Sequence, residues 1–337
     1  MRRAAIALTA FVVASIPATT MADTPPSVWE RARDARAAEE FELHRAVQQR
    51  LIRTAVAEVD FGERERVRAM LERAIADGSK NPLLWFDLGH VYELLKNHVR
   101  AAQTLKAAIA EFPDHPAVDQ AWLRLAFACG HLGDHACERE AYIEILRRET
   151  EELHRATPTL NLAETHMHLG DLKEAIEGYR EAFRIASRVP SRETAPLATW
   201  GLAVALDRSG DLVSAEREAR FAIEIERSMG QTHLLRSQDV FFVPDYEIHW
   251  YEGLGASALA GVTTDSRQAI LLWRQAEKSF SEYVKAGERK NDRWLPIAKA
   301  RLARVKAERE RAEKVAPPRP PGTPRTAPGS PEQDVNL

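Results

Sequence analysis

Four side chains that could bind a metal ion or exchange electrons lie close together in the sequence. They form the pattern Cys-x-His-x3-His-x-Cys at Cys129, His131, His135 and Cys137. Thiolate sulfur and imidazole nitrogen are ligands that Zn²⁺ and copper ions accept. The spacing matches no standard metal motif, and two cysteines that flank one turn can form a disulfide when their Cα atoms lie within about 7 Å. The pattern therefore leaves three alternatives, which are free thiols, a disulfide and a metal site.

The remainder of the sequence contains none of the short motifs that usually mark an enzyme. We find no nucleophile elbow, phosphate loop or dinucleotide fingerprint. The chain carries 50 acidic residues, so the presence of carboxylates alone does not indicate catalysis. Its formal charge of −3 gives no indication of nucleic-acid binding. The favoured prediction is a protein that is not an enzyme, needs no cofactor and holds no resident metal.

Helices must position the cysteine turn, because the apolar residues around it recur at helical spacing. The clearest segment has apolar or small residues at steps of three and four, which places them on one face of each of two consecutive helices. Gly89 would let the second helix approach the first closely, and Pro113 would end that second helix. The first helix carries Trp85, Leu88, Gly89 and Tyr92, and the second carries Ala101, Leu105 and Ala108.

These spacings resemble the tetratricopeptide (TPR) repeat, in which Trp-x2-Leu-Gly-x2-Tyr is followed by Ala and Pro. The hairpin recurs with lower fidelity along the chain, and three of its turns share a Gly-Asp pair at Gly133, Gly170 and Gly210. The resemblance implies an all-α, right-handed α-solenoid of about five to six TPR hairpins with a C-terminal closing helix over residues 294–313. The predicted boundaries are a signal peptide at 1–22, an N-terminal helix at 23–44, the solenoid at 45–313 and a disordered Pro-rich tail at 314–337.

The two ends of the chain differ from the repeats. Arg2 and Arg3 precede an apolar stretch that is too short to span a bilayer well, and small residues at Thr20 and Ala22 resemble a cleavage site. We therefore expect an exported protein without stable membrane insertion after signal cleavage, periplasmic if the source has two membranes. Seven prolines within Pro317–Leu337 predict an extended tail.

The resemblance also implies where a partner would bind. TPR proteins usually bind ligands along a groove lined by the first helix of each hairpin. The lining is mostly apolar here, and it lacks the Lys and Asn pair with which TPR carboxylate clamps hold a chaperone tail, so an apolar peptide or helix is the implied ligand. Alternatively, the protein's own segment Val28–Gln49 fills the groove. The predicted lining residues are Ile52, Val56, Phe86, His90, Leu123, Phe127, Leu160, Glu164, Trp200 and Val204.

One stretch interrupts the repeats before the last hairpin. Its apolar residues include Phe241 and Phe242, and it is ended by Pro244, which predicts an extended loop. The two phenylalanines either anchor the loop against Trp250 and Tyr251 or form an exposed recognition element.

Two functional hypotheses follow from the sequence. The first is an exported scaffold that holds another protein of the cell envelope in its groove, with self-association left open. The second is a redox- or metal-responsive binding module that uses the hairpin of Cys129 and Cys137.

Overall fold

A computed structural model describes residues 35–56, 61–188, 193–230, 234–237, 240 and 242–315 of the chain, except for the side chains of residues 52–56 and 61. The predicted signal peptide, the residues 316–337 of the predicted tail, and Phe241 lie outside the described residues. All the longer elements of the described part are helices, which confirms the all-α prediction.

The described residues contain thirteen α-helices and two short 3₁₀ helices, and they form two compact units. The N-terminal unit holds α1 to α6, which are Ala35–Val56, Phe61–Ala76, Pro82–Leu94, His98–Glu111, Val118–Leu132 and His135–Arg148. The C-terminal unit holds α7 to α13, which are Glu152–Leu169, Leu172–Ala186, Thr194–Ser209, Leu212–Ser228, Ile248–Ala260, Ser266–Lys290 and Leu295–Val315. The 3₁₀ helices Leu234–Arg236 and Asp245–Glu247 lie between α10 and α11.

Two predicted boundaries were wrong, the first by twelve residues and the second by two. The N-terminal helix does not end at residue 44, because α1 continues without a break from Ala35 to Val56. It packs against α2 and α3, where His44 and Gln48 both contact the buried carboxylate of Asp87, at 2.7 and 2.6 Å. At the other end, the closing helix extends to Val315, so the first two residues of the predicted tail belong to α13.

The three Gly-Asp turns have the geometry that their sequence predicts. Gly133, Gly170 and Gly210 adopt φ of 70°, 90° and 93°, a left-handed conformation that glycine reaches without a steric penalty. The aspartate that follows begins the next helix, and the side chain of Asp134 accepts a hydrogen bond from the backbone N–H of Cys137 at 3.2 Å. Asp211 caps α10 in the same way through the N–H of Ser214 at 3.1 Å.

Paired helices approach so closely that glycine is required at the contact. A Cβ on Gly89 would lie 2.5 Å from Cγ of Leu105 on the next helix, which confirms the predicted role of this glycine. In the C-terminal unit, a Cβ on Gly201 of α9 would overlap the ring of Tyr179 on α8. These contacts bury Leu105 and Tyr179 almost completely.

We expect Gly201→Ala to lower the free energy of unfolding, although alanine is the better helix former by about 1 kcal/mol. The added methyl group must displace the buried ring of Tyr179, and overpacking of this kind costs typically about 1–3 kcal/mol. Urea unfolding followed by circular dichroism would measure the loss. Gly261→Ala is the matched control, because its Cβ would lie 3.6 Å from its nearest neighbour, an ordinary contact. Equal stability of the two variants would contradict the packing argument.

Candidate partner-binding surface

The predicted lining positions of the C-terminal unit are mostly buried. Trp200 is 2% exposed, Val204 is fully buried and Leu160 is 8% exposed, whereas Glu164 is half-buried. The indole N–H of Trp200 donates a hydrogen bond to the carboxylate of Glu226, and its ring packs close to Gly255. Trp200 and Val204 are therefore core residues, and the expectation that they line an open groove needs correction.

These residues are buried because the last hairpin runs against the direction of the preceding ones. Helices α7 and α9 begin side by side, since the hydroxyls of Thr157 and Thr194 lie 3.3 Å apart. Helices α9 and α11, in contrast, run in opposite directions, as two contacts between them show. Trp200, in the middle of α9, lies near Gly255, whereas Asp207, at its end, accepts a hydrogen bond from the indole N–H of Trp250 near the start of α11. The sequence resemblance to a TPR hairpin did not predict this reversal.

Residues 229–247 form the connection between α10 and α11. Part of it is anchored, because the ring of Phe242 lies 5.1 Å from that of Tyr251, and Tyr246 donates a hydrogen bond to Asp292 at 2.7 Å. These contacts favour the anchoring interpretation for Phe242. Phe241 lies outside the described residues, so no contact bears on it.

A buried ion pair holds the end of this connection against α9. The guanidinium of Arg208 donates to the carboxylate of Glu247 at 2.5 Å, and neither side chain is more than 3% exposed. Tyr283 donates to the other oxygen of Glu247 at 3.2 Å. The guanidinium also lies 4.4 Å from the ring centre of Trp250 and 4.9 Å from that of Trp294. Burial disfavours the charge, but Glu247 and the nearby tyrosines raise the pKa of Arg208 above its ordinary value.

A second buried ion pair lies next to the first. Nε of Arg301 on α13 lies 3.1 Å from a carboxylate oxygen of Asp207, whose other oxygen accepts from Trp250 at 2.9 Å. The lining side of α9 is thus covered by residues of α11 to α13. The residues that contact Trp200 and Asp207 belong to α10, α11 and α13 of the same unit. The alternative that Val28–Gln49 fills the groove stays a prediction, because residues 28–34 lie outside the described residues.

The lining positions of the N-terminal unit differ in exposure. His90 on α3 and Leu123 and Phe127 on α5 are partly exposed, whereas Phe86 is buried near Phe112 and His115. Ile52 and Val56 lie on α1, and their side chains are outside the description. We call His90, Leu123 and Phe127 the N-terminal lining.

Two further residues, which the sequence reasoning missed, join the helices of the N-terminal lining. Arg124 of α5 donates to Glu93 of α3 at 3.0 Å, and both side chains are largely buried. Burial lowers the pKa of His90 well below its ordinary value of 6.5, and the charges of Arg124 and Arg64 act in the same direction. The imidazole of His90 is therefore neutral at pH 7.

The cysteines lie at the turn between α5 and α6 and are joined in a disulfide, with Cα atoms 5.9 Å apart. The neighbouring histidines do not converge on the sulfur atoms. The ring of His131 stacks on that of His98 at 4.3 Å, and Nδ1 of His135 lies 2.9 Å from Glu138. A four-ligand site made of Cys129, His131, His135 and Cys137 does not fit this arrangement, because sulfur in a disulfide is not a thiolate ligand.

We expect Arg208→Met to lower the free energy of unfolding by about 3–5 kcal/mol, because Glu247 would remain buried without its charged partner. The double variant Arg208→Met/Glu247→Gln should lose clearly less, since no uncompensated charge remains and Tyr283 keeps an acceptor. Urea unfolding of the single and double variants would measure the difference. A single variant as stable as the unaltered protein would show that the ion pair contributes nothing.

Within the part of the chain that the structure describes, no helix has both the length and the hydropathy of a membrane span.

Two family models described as tetratricopeptide repeat match the chain, over residues 52–116 and 154–228. No curated protein matches it.

Among solved structures, the apo form of RapI is similar at 12% identity, with 82% of this chain and 100% of that chain covered and a TM-score of 0.51. A tetratricopeptide repeat protein from Parabacteroides merdae ATCC 43184 is similar at 13% identity, with 79% and 99% covered and a TM-score of 0.48. Such identities show the fold alone. The two matched segments and the stacked helical hairpins identify the chain as a tetratricopeptide-repeat protein, with the fold of a protein–protein interaction scaffold.

Proposed function

We propose that this protein is an exported scaffold that binds an apolar peptide or helix of another envelope protein through its N-terminal lining. The observation that carries the proposal is a contrast in burial between three lining residues of the N-terminal unit and two of the C-terminal unit. His90, Leu123 and Phe127 are partly exposed, whereas Trp200 and Val204 occupy equivalent positions of the C-terminal unit and are buried.

The chemistry of the N-terminal lining favours an apolar ligand. Leu123 and Phe127 lie one helical turn apart on α5, so they form a continuous apolar strip. The neighbouring cation of Arg124 is neutralised by Glu93, and His90 is neutral at pH 7. An apolar side chain of a partner would therefore displace water from this strip without stripping water from an unpaired charge. An amphipathic helix or an extended apolar peptide meets that requirement.

The proposal is one of binding and not of catalysis. Scaffolds of this fold act by bringing partners together, and the described residues of the N-terminal lining include no nucleophile activated by a base.

We expect the double variant Leu123→Arg/Phe127→Arg to lose specific partners, because two buried cations would oppose an apolar ligand. Crosslinking and affinity capture from cells that make the exported protein would compare it with the unaltered chain. The matched control is Val99→Arg/Ile143→Arg, which places the same two charges on apolar residues of the same unit that are already 52% and 48% exposed. Circular dichroism would confirm that both variants are folded.

Partners that disappear only with the lining variant would support the proposal and identify the process. If both variants still capture the same partners as the unaltered chain, the N-terminal lining is not the binding surface. Equal losses in both variants would likewise oppose it, since they would reflect a general effect of added charge.

The export of the protein has its own test. We expect cleavage after Ala22, so that the mature chain begins at Asp23, because Thr20 and Ala22 supply the small residues that a signal peptidase requires. Intact-mass measurement of the protein from the extracytoplasmic fraction would show the loss of residues 1–22. Recovery of the full-length mass from the cytoplasmic fraction alone would contradict export.

A further inference from the structure

Three metal-binding side chains converge at the turn between α5 and α6. The Sγ atoms of Cys129 and Cys137 and a carboxylate oxygen of Asp134 all lie within 4.8 Å of one another. Asp134 is not part of the Cys/His pattern of the sequence. The histidines of that pattern are instead occupied elsewhere, with His131 stacked on His98 and His135 beside Glu138.

The backbone of the turn holds these three side chains together independently of the disulfide. Gly133 ends α5 in a left-handed conformation, with φ of 70°, and Asp134 caps α6 by accepting from the N–H of Cys137. The N–H of Asp134 in turn donates to the carbonyl oxygen of Cys129 at 3.0 Å. Breaking the bond between the sulfurs would therefore leave both cysteines and the carboxylate at the same turn.

We propose that Cys129, Cys137 and Asp134 form a Zn²⁺ site when the disulfide is reduced, so that reduction by a dithiol converts the turn from a disulfide to a metal–thiolate state. Two thiolates and one carboxylate are ligands that Zn²⁺ accepts in tetrahedral sites. The carboxylate of Asp134 is exposed, so water reaches the turn and supplies the fourth ligand. The two states exclude each other because they use the same sulfur atoms.

The conversion balances with a dithiol as reductant. Two thiolate attacks by the dithiol, one after the other, break the bond between Cys129 and Cys137 and transfer two electrons to their sulfurs. The dithiol becomes a disulfide, and its two protons are taken up by the released cysteines. Binding of Zn²⁺ then displaces both thiol protons into solvent, while Asp134 binds in its ionised form.

The position of the two cysteines is consistent with either state. Their Cα atoms lie 5.9 Å apart, and Cys129 and Cys137 are 1% and 8% exposed. Burial protects a metal–thiolate bond from solvent, while the exposed Asp134 gives an ion a route to the sulfurs.

Cobalt provides a probe for this site, because Co²⁺ bound by thiolates in a tetrahedral site absorbs visible and near-ultraviolet light. The full exported chain, prepared without a His tag, would be reduced with a phosphine, desalted without oxygen and titrated with Co²⁺. We expect one Co²⁺ per chain with thiolate charge-transfer absorption in the reduced protein and none in the oxidised protein. Added Zn²⁺ should displace the cobalt. Circular dichroism would follow folding at each step.

Two aspartate variants separate the metal site from helix capping. Asp134→Asn keeps a residue that can cap α6 but removes the charged ligand, so we expect Co²⁺ affinity to fall at least about tenfold. Asp211→Asn makes the same change at the equivalent cap of α10, which has no cysteines nearby, and should leave the affinity unchanged. Cys137→Ser should abolish the charge-transfer absorption.

The proposal is overturned if the reduced protein is folded but shows no charge-transfer absorption. It is also overturned if Asp134→Asn binds as tightly as the unaltered chain. If reduction unfolds the protein, recovery of its helical signal on addition of Zn²⁺ supports the site, and failure to recover refutes it.

Discussion

The close approach of paired helices is the constraint on which both units depend. A helix pair can bury large side chains such as Leu105 and Tyr179 only if the facing helix offers no Cβ at the point of contact. Gly89 and Gly201 meet that requirement, and any larger residue there would push the two helices apart. Because every hairpin in a stack packs on its neighbours, a displacement at one contact is passed to the next.

The two units differ in how far this packing buries their lining residues. In the N-terminal unit, the lining residues His90, Leu123 and Phe127 of α3 and α5 stay partly exposed, and the charge of Arg124 is balanced by Glu93. In the C-terminal unit the reversed last hairpin covers the lining side of α9 and brings Arg208, Glu247, Asp207 and Arg301 into the interior. Burying four charges has a large desolvation cost, which is offset only because each charge has a partner and Arg208 also lies against two indole rings.

Local chemistry explains which features the sequence could predict. Gly133, Gly170 and Gly210 were recognisable because a tight turn needs a positive φ, and this requirement involves only neighbouring residues. The helices were recognisable because their apolar faces repeat at three- and four-residue steps. The all-α fold and the TPR family both follow from signals of this short range.

Contacts between residues far apart in the chain left no comparable signal in the sequence. Periodicity identified the side of α9 on which Trp200 lies, but it could not show that α11 runs in the opposite direction and covers that side. Residues 229–247, which precede α11, do not follow the repeat pattern. Likewise Asp134 was recognisable as part of a Gly-Asp turn, whereas its approach to both cysteine sulfurs depends on the three-dimensional course of the turn.

The cysteine turn and the N-terminal lining are mechanically connected, because both involve α5. Leu123 and Phe127 lie on this helix, and Cys129 lies half a turn beyond Phe127, where it ties α5 to α6 through Cys137. The helix is also held on its other side, since Arg124 bonds to Glu93 of α3. One covalent bond and one ion pair therefore add to the helix packing that orients the apolar strip. Reduction of the disulfide between Cys129 and Cys137 would remove the covalent restraint between α5 and α6. It would therefore affect the N-terminal lining through the rigidity of α5 and not through a direct contact with the bound peptide.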